Sequence, residues 1–272
     1  MTVGEALAAA AARLGAVSDT ARLDAELLMA HALGVERQAM LLSGLDAPAP
    51  AAFDAALLRR MEHEPVAYIV GRRGFWSIEL EVGPGVLVPR PDSESLIEAA
   101  MERFGAAGPK RILDLGVGPG TLLLAALAQW PEATGLGVDR SEAALDFARR
   151  NAARLGLEAR AELRAGDWTQ GVTERFDLLL CNPPYVEDGA GLPREVAGWE
   201  PNVALYAGAD GLAVYRRLAP EVPRLLASEG MACFEIGAGQ AAAAGALFEA
   251  AGLKVGLRKD LAGRDRCLVL WR

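Results

Sequence analysis

From Arg111 onward the chain alternates short apolar runs with helical patterns, and this alternation limits the possible folds more than any other feature. Residues 111–115, 134–138, 161–163, 176–181, 231–236, 254–258 and 267–271 read as strands. Residues 120–130, 141–155, 211–226 and 240–252 read as the helices between most of them. Strands separated by helices predict a doubly wound, mostly parallel, seven-stranded sheet of the Rossmann-like kind. The last two strands have no helix between them, which predicts one antiparallel strand at or near an edge.

The region before the sheet has a different period. Residues 1–74 are expected to form a helical N-terminal domain. Thr2 and Glu5 fit a capping box for a first helix closed by Gly15. Ser18 or Asp19 is the expected cap of a second helix, with Leu23, Leu27 and Ala30 on its buried face. Phe53, Leu57, Leu58 and Met61 make the apolar stripe of another helix. Residues 66–70 with 75–82 read as a β-hairpin, and 86–88 as a third extended piece. Residues 75–88 are therefore assigned to a hairpin linker region and 89–272 to the sheet domain. Asp92 or Ser93 is placed to cap a helix reaching Phe104.

With 272 residues, 52% of them hydrophobic, the chain has ample material for such a core. The net charge of −8 and the absence of a long basic run argue against direct nucleic-acid binding. Cys181, Cys233 and Cys267 lack metal-ligand or redox spacing and read as reduced core residues of a cytoplasmic protein. No apolar run approaches the length of about 18 residues that a membrane span needs. The early Glu5 and the lack of a basic segment predict no signal peptide.

In open α/β sheets, ligands lie beyond the carboxyl ends of the strands. Four consecutive strand ends carry suggestive residues. The first is Asp114-Leu115-Gly116-Val117-Gly118-Pro119-Gly120, where glycines allow a tight turn and close approach of a ligand, and the acid can face a cation. Its spacing departs from the dinucleotide fingerprint Gly-x-Gly-x-x-Gly. Next is Asp139, suited to the two hydroxyls of a ribose or, alternatively, to capping a helix. After it comes Gly166-Asp167-Trp168, with an acid for an exocyclic amine and a ring to cover a purine. The fourth is Asn182-Pro183-Pro184-Tyr185. Two prolines stop the strand ladder and leave a stiff turn with an amide, free carbonyls and an aromatic face. That set suits a planar group carrying NH2. A plain tight turn with a capping Asn is the structural alternative.

Together these four sites resemble a class I S-adenosylmethionine-dependent methyltransferase of the amino-methylating group. The chain is more closely similar to the release-factor glutamine methyltransferases, the HemK/PrmC family. The resemblance also rests on Pro89-Arg90-Pro91-Asp92-Ser93-Glu94, Glu200-Pro201, Gly208-Ala209-Asp210-Gly211-Leu212, Phe234-Glu235-Ile236-Gly237 with Gln240, and Asp260-Leu261-Ala262-Gly263-Arg264-Asp265-Arg266. It departs at Pro119, where the family usually has a small or hydroxylic residue. The resemblance implies S-adenosyl-L-methionine as cofactor, held by Asp114, Gly116, Val117, Gly118, Pro119, Gly120, Asp139, Asp167, Trp168 and Asn182. It implies Asn182, Pro183, Pro184 and Tyr185 as the substrate site, with Asn182, Pro183 and Tyr185 catalytic. The implied substrate is the glutamine side chain in the Gly-Gly-Gln loop of peptide-chain release factors, with the helical domain a suspected docking surface. An amino-methyltransferase of adenine or guanine in nucleic acid would use the same turn. A non-catalytic cofactor-binding protein would have no need of it. His31 and His63 both fall in the N-terminal domain, so neither supplies an obvious general base.

Overall fold

A short hairpin, β1 (Arg72–Phe75) and β2 (Ile78–Glu81), precedes a seven-stranded sheet. The sheet strands are β3 (Arg111–Leu115), β4 (Thr134–Asp139), β5 (Ala161–Ala165), β6 (Phe176–Cys181), β7 (Leu226–Glu235), β8 (Lys254–Lys259) and β9 (Asp265–Trp271). This is a computed structural model, and it describes residues 1–260 and 262–272. Leu261, within the Asp260–Arg266 motif, lies outside them.

The strands run in the order β5-β4-β3-β6-β7-β9-β8. All neighbours from β5 to β7 are parallel, and β9 is antiparallel to both β7 and β8. The antiparallel strand is thus second from the edge. Parallel strands covered on both faces need continuous apolar runs. Accordingly Ile112, Leu113, Leu115 and Leu178 to Cys181 are completely inaccessible. Strand order reverses between β3 and β6, the switch point at which doubly wound sheets open a crevice.

Register sets what emerges there. Leu115 pairs with Val138 on one side and Cys181 on the other, and Asp139 pairs with Ala165. Gly116 and Asn182 therefore leave neighbouring strands side by side. Phe234 pairs with Cys181, so Glu235 at the end of β7 is level with Asn182.

By packing, Met1–Arg72 with Leu192–Trp199 forms one unit, and Arg73–Gly191 with Glu200–Arg272 the other. In the first, Thr2 caps the helix Val3–Leu14 through a full capping box. The helix Ala21–Leu33 starts after Thr20 with no side-chain cap, so neither Ser18 nor Asp19 caps it. Ala30 is buried as expected and Leu27 half-buried, but Leu23 is exposed, and the helix also buries Asp24, Ala25, Glu26, Leu28 and Met29. The buried face is shifted off Leu23 because buried ion pairs take part of it. Asp24 and Glu195 both bond Arg60, and Glu26 binds Arg22 and Arg37. Leu58 is likewise exposed, while Arg60 is buried beside Phe53 and Leu57.

Residues 66–70 form the helix Val66–Val70 instead of a strand. Pro65 fixes the entry, its carbonyl accepts from Tyr68 and Ile69 N–H, and Gly71 closes the turn at φ 79°. Residues 86–88 join no ladder, because the Val88 N–H donates to the Glu200 carboxylate. The expected helix 211–226 breaks into Ala213–Leu218 and Val222–Leu225. Pro220 and Pro223 lack the N–H a continuous helix would need. The helix before the sheet runs Glu94–Phe104, preceded by the 3-10 turn Pro91–Ser93. Ser93 does not cap it with its side chain.

Candidate active site

A cavity of about 610 Å³ opens over the strand ends at the switch point. Of the residues singled out in the sequence, Asp114, Gly116, Val117, Gly118, Pro119, Asp139, Asp167, Trp168, Asn182 and Pro184 line it. Gly120, Pro183 and Tyr185 support it from outside the lining.

The β3 turn is shaped by its backbone. Gly116, Gly118 and Gly120 have φ of 74°, 55° and 94°, a region that glycine alone enters without strain. The N–H groups of Gly116 and Val117 donate to the Val138 carbonyl, tying the turn to β4. Asp139 fastens the same turn. One oxygen accepts from the Gly118 N–H at 2.9 Å and the other from Ser141 N–H at 2.9 Å. Trp168, itself at φ 58°, backs the loop so closely that a Cβ on Gly116 would lie 3.2 Å from its ring. Asp167 holds a two-point ion pair with Arg217 at 2.7 and 3.0 Å.

Asp114 lies beneath this turn, 1% exposed. One carboxylate oxygen accepts from Leu123 N–H at 3.0 Å; the other has no hydrogen-bond partner among the described residues. Burial, only partly offset by that hydrogen bond, pushes the Asp114 carboxyl up to about 7.

The β6 turn is held by side chains. The Asn182 amide nitrogen donates to Ser93 Oγ at 3.1 Å, and Ser93 Oγ donates to Glu235 Oε2 at 2.5 Å. Tyr185 OH donates to Glu235 Oε1 at 3.3 Å, and its carbonyl accepts from Gln240. Burial pushes the Glu235 carboxyl up to about 7, although Ser93, Arg266 and Tyr185 pull the other way. The same burial, with Glu235 nearby, raises the Tyr185 phenol above its ordinary value. Arg266 pairs with Asp92 at 3.1 Å and Asp260 at 3.3 Å. Beside them, Glu200 bonds Arg90 at 2.5 Å and the Val88 N–H at 3.1 Å.

Ser93, Glu235, Arg90, Glu200 and Arg266 were not among the expected site residues. All lie in segments that carried the family resemblance; Ser93 read only as a helix cap, and no local pattern gave the others a role. Ser93 is 89 residues from Asn182 and 142 from Glu235.

A doubly wound sheet with the order 3-2-1-4-5-7-6, a glycine turn after its first strand and Asn-Pro-Pro-Tyr after its fourth defines a class I, Rossmann-like methyltransferase. Solved structures agree on the fold. A methyltransferase from Pyrococcus furiosus superposes with a TM-score of 0.55 at 17% identity, covering 80% of this chain and 96% of that one. The ribosomal protein L11 methylase of Lactobacillus delbrueckii gives 0.51 at 21% identity over 67% and 80%. The PrmC N-terminal domain family matches residues 5–71, and the methyltransferase small domain family matches residues 92–196. The release factor glutamine methyltransferase of Caulobacter vibrioides is 44% identical over 99% of this chain and 96% of its own length. That of Rhodospirillum rubrum is 46% identical over 92% and 79%. The chain belongs to the release factor glutamine methyltransferase family, and it is an enzyme.

Proposed function

We propose that this protein transfers a methyl group from S-adenosyl-L-methionine to the side-chain amide nitrogen of the glutamine in the Gly-Gly-Gln motif of peptide-chain release factors. The observation that carries this reading is the side-by-side exit of Gly116 and Asn182 from paired strands into one cavity. A cofactor seated on the glycine turn and a substrate held by Asn182 would meet there.

The residues present fit the cofactor. Above Gly118 a Cβ would meet nothing within 4 Å, which leaves that backbone open to a ligand. Asp139 is placed to reach ribose hydroxyls with lone pairs its two backbone contacts leave free. Asp114 lines the same cavity, and one of its buried carboxylate oxygens has no hydrogen-bond partner among the described residues, an acid suited to a neighbouring cationic group. When bound, S-adenosylmethionine supplies an electrophilic methyl on a positively charged sulfur.

The amide nitrogen of glutamine is a weak nucleophile because its lone pair is delocalised. Asn182 Oδ1 and the Pro183 carbonyl accept its two hydrogens, which aims the lone pair and stabilises positive charge developing on nitrogen. Pro184 bounds the same end of the cavity. Tyr185, anchored to Glu235, backs the turn and keeps water from it. The proton leaves to solvent with or after transfer.

The helical unit is assigned to docking the release factor, and Leu42 and Leu58 are large apolar side chains it exposes. Replacing both with Glu should raise KM for the release factor and leave cofactor affinity alone. The main test supplies labelled cofactor with release factor, duplex DNA or ribosomal RNA in separate reactions. Label on the release factor, lost when its Gly-Gly-Gln glutamine is changed, supports the reading. Label on nucleic acid alone overturns it.

A further inference from the structure

We propose that Ser93 and Glu235 form a positioning relay that decides which end of the Asn182 carboxamide faces the reacting nitrogen. The proposal rests on the role given to Asn182 above. A carboxamide has two ends of nearly equal shape, one accepting and one donating. Only the accepting end serves a substrate NH2. Nothing in the strand or in the prolines selects it.

Hydrogen-bond bookkeeping does. A serine hydroxyl has one proton to give. Ser93 gives it to Glu235 Oε2, so toward Asn182 its oxygen is left only to accept. Asn182 must then turn its NH2 to Ser93, 3.1 Å away, and its Oδ1 to the cavity. Ser93 is 1% exposed and Glu235 1% exposed, so water does not substitute for either partner. Glu235 is held from its other side by Tyr185 OH, which donates to Oε1. The sequence of donors therefore runs one way, from Asn182 through Ser93 to Glu235.

Protonation of Glu235 reverses it. A protonated carboxyl donates to Ser93 Oγ, and the serine proton then swings toward Asn182. The hydroxyl now favours Oδ1 on its side, and the amide presents NH2 to the substrate, donor against donor. The groups facing Glu235 are Asp92 and Ser93 from the turn before Glu94–Phe104, Tyr185, Tyr215, Cys181, Cys267, and Arg266 with its partner Asp260. Their balance, dominated by burial, puts the Glu235 carboxyl at about 7, where an ordinary change of pH reaches it.

The experiment measures kcat, KM for release factor and calorimetric S-adenosylmethionine affinity for the parent, Ser93→Ala, Ser93→Thr and Glu235→Gln between pH 5.5 and pH 9, each limit approximate. Asn182→Ala is run alongside. Ser93→Ala and Glu235→Gln are expected to lower kcat by about tenfold to a hundredfold, the scale of a small misplacement at a reacting centre, with cofactor affinity unchanged. Ser93→Thr keeps the hydroxyl and restores most of the rate. In the parent kcat falls as pH drops through about 7, and in Glu235→Gln that limb disappears. Parental kcat in both Ser93→Ala and Glu235→Gln overturns the relay. So does a parent profile that stays flat through the same range, a result that depends on no variant folding. Asn182→Ala separates the two levels. If it too keeps the parental rate, the assignment of Asn182 has failed; if it alone is inactive, only the relay has.

Discussion

The two turns that meet in the cavity are built in opposite ways. After β3 the chain relies on its own backbone. Three glycines at positive φ, N–H groups donating to β4 and one carboxylate, Asp139, define the shape. After β6 the chain relies on side chains brought from elsewhere, Ser93 from before the sheet and Glu235 from β7. Each turn has a buried carboxyl beneath it, Asp114 or Glu235, and each is pushed up to about 7. The difference fits the two ligands proposed for these turns. A cofactor that recurs unchanged suits a rigid backbone mould. A nucleophile that needs one hydrogen-bond polarity suits a network in which polarity is set.

The largest effect expected from this pairing is on stability. A carboxyl whose folded value lies above its unfolded value keeps its proton longer in the folded state. Between about pH 4 and about 7 the folded protein then binds more protons, and stability falls as pH rises through that window. For Asp114, moved from 3.8 to about 7, the loss is of order 4 kcal/mol. Denaturant unfolding of the parent and Asp114→Asn at both ends of the window should show the fall reduced in the variant. An equal fall in both would mean that Asp114 is ionised throughout.

Next comes the turn proposed to hold the substrate. Asn182→Ala should lower kcat at least about a hundredfold, the scale of one lost transition-state contact, with melting nearly unchanged. Single-turnover transfer to a release factor is the measurement, and a parental rate in a folded variant removes Asn182 from the mechanism. Asp139→Ala tests the other turn. It frees the Gly118 and Ser141 N–H groups and should weaken cofactor binding by roughly 1.5–3 kcal/mol. Calorimetry showing the parental affinity would sink that assignment.

The smallest effect separates backbone strain from packing. At Gly118 an added methyl meets nothing, so Gly118→Ala should cost only the positive-φ penalty of about 1 kcal/mol in thermal unfolding. At Gly120 a Cβ would lie 2.6 Å from Leu124, and Gly120→Ala should cost clearly more. Equal losses would show that the loop relaxes as a whole.

The same contrast explains what the sequence made legible. Strand ends, the glycine turn and Asn-Pro-Pro-Tyr are local patterns, and paired register brings them together with no further information. The relay joins residues whose partners lie 89 and 142 positions away, and a serine beside a proline-rich turn looks like a cap. In the helical unit the failure had another cause. Asp24 and Arg60 are buried as partners, so polar residues occupy a face that periodicity reserved for leucines. The helix Val66–Val70 was hidden by its β-branched residues, whose preference yields to Pro65, Gly71 and burial of Tyr68 and Ile69.

The position of β9 between β7 and β8 bears on how the molecule comes into being during synthesis. β8 is made first and, among the described residues, pairs in the sheet only with β9. Until residues 265–271 have left the ribosome, β8 has no strand to join and the flank of β7 is open. Arg266 arrives on that same late strand and supplies the cation between Asp92 and Asp260, next to Glu235. The wall behind the β6 turn is therefore completed last, and a nascent chain paused before β9 would lack the Arg266 cation that pairs with Asp92 and Asp260 beside Glu235.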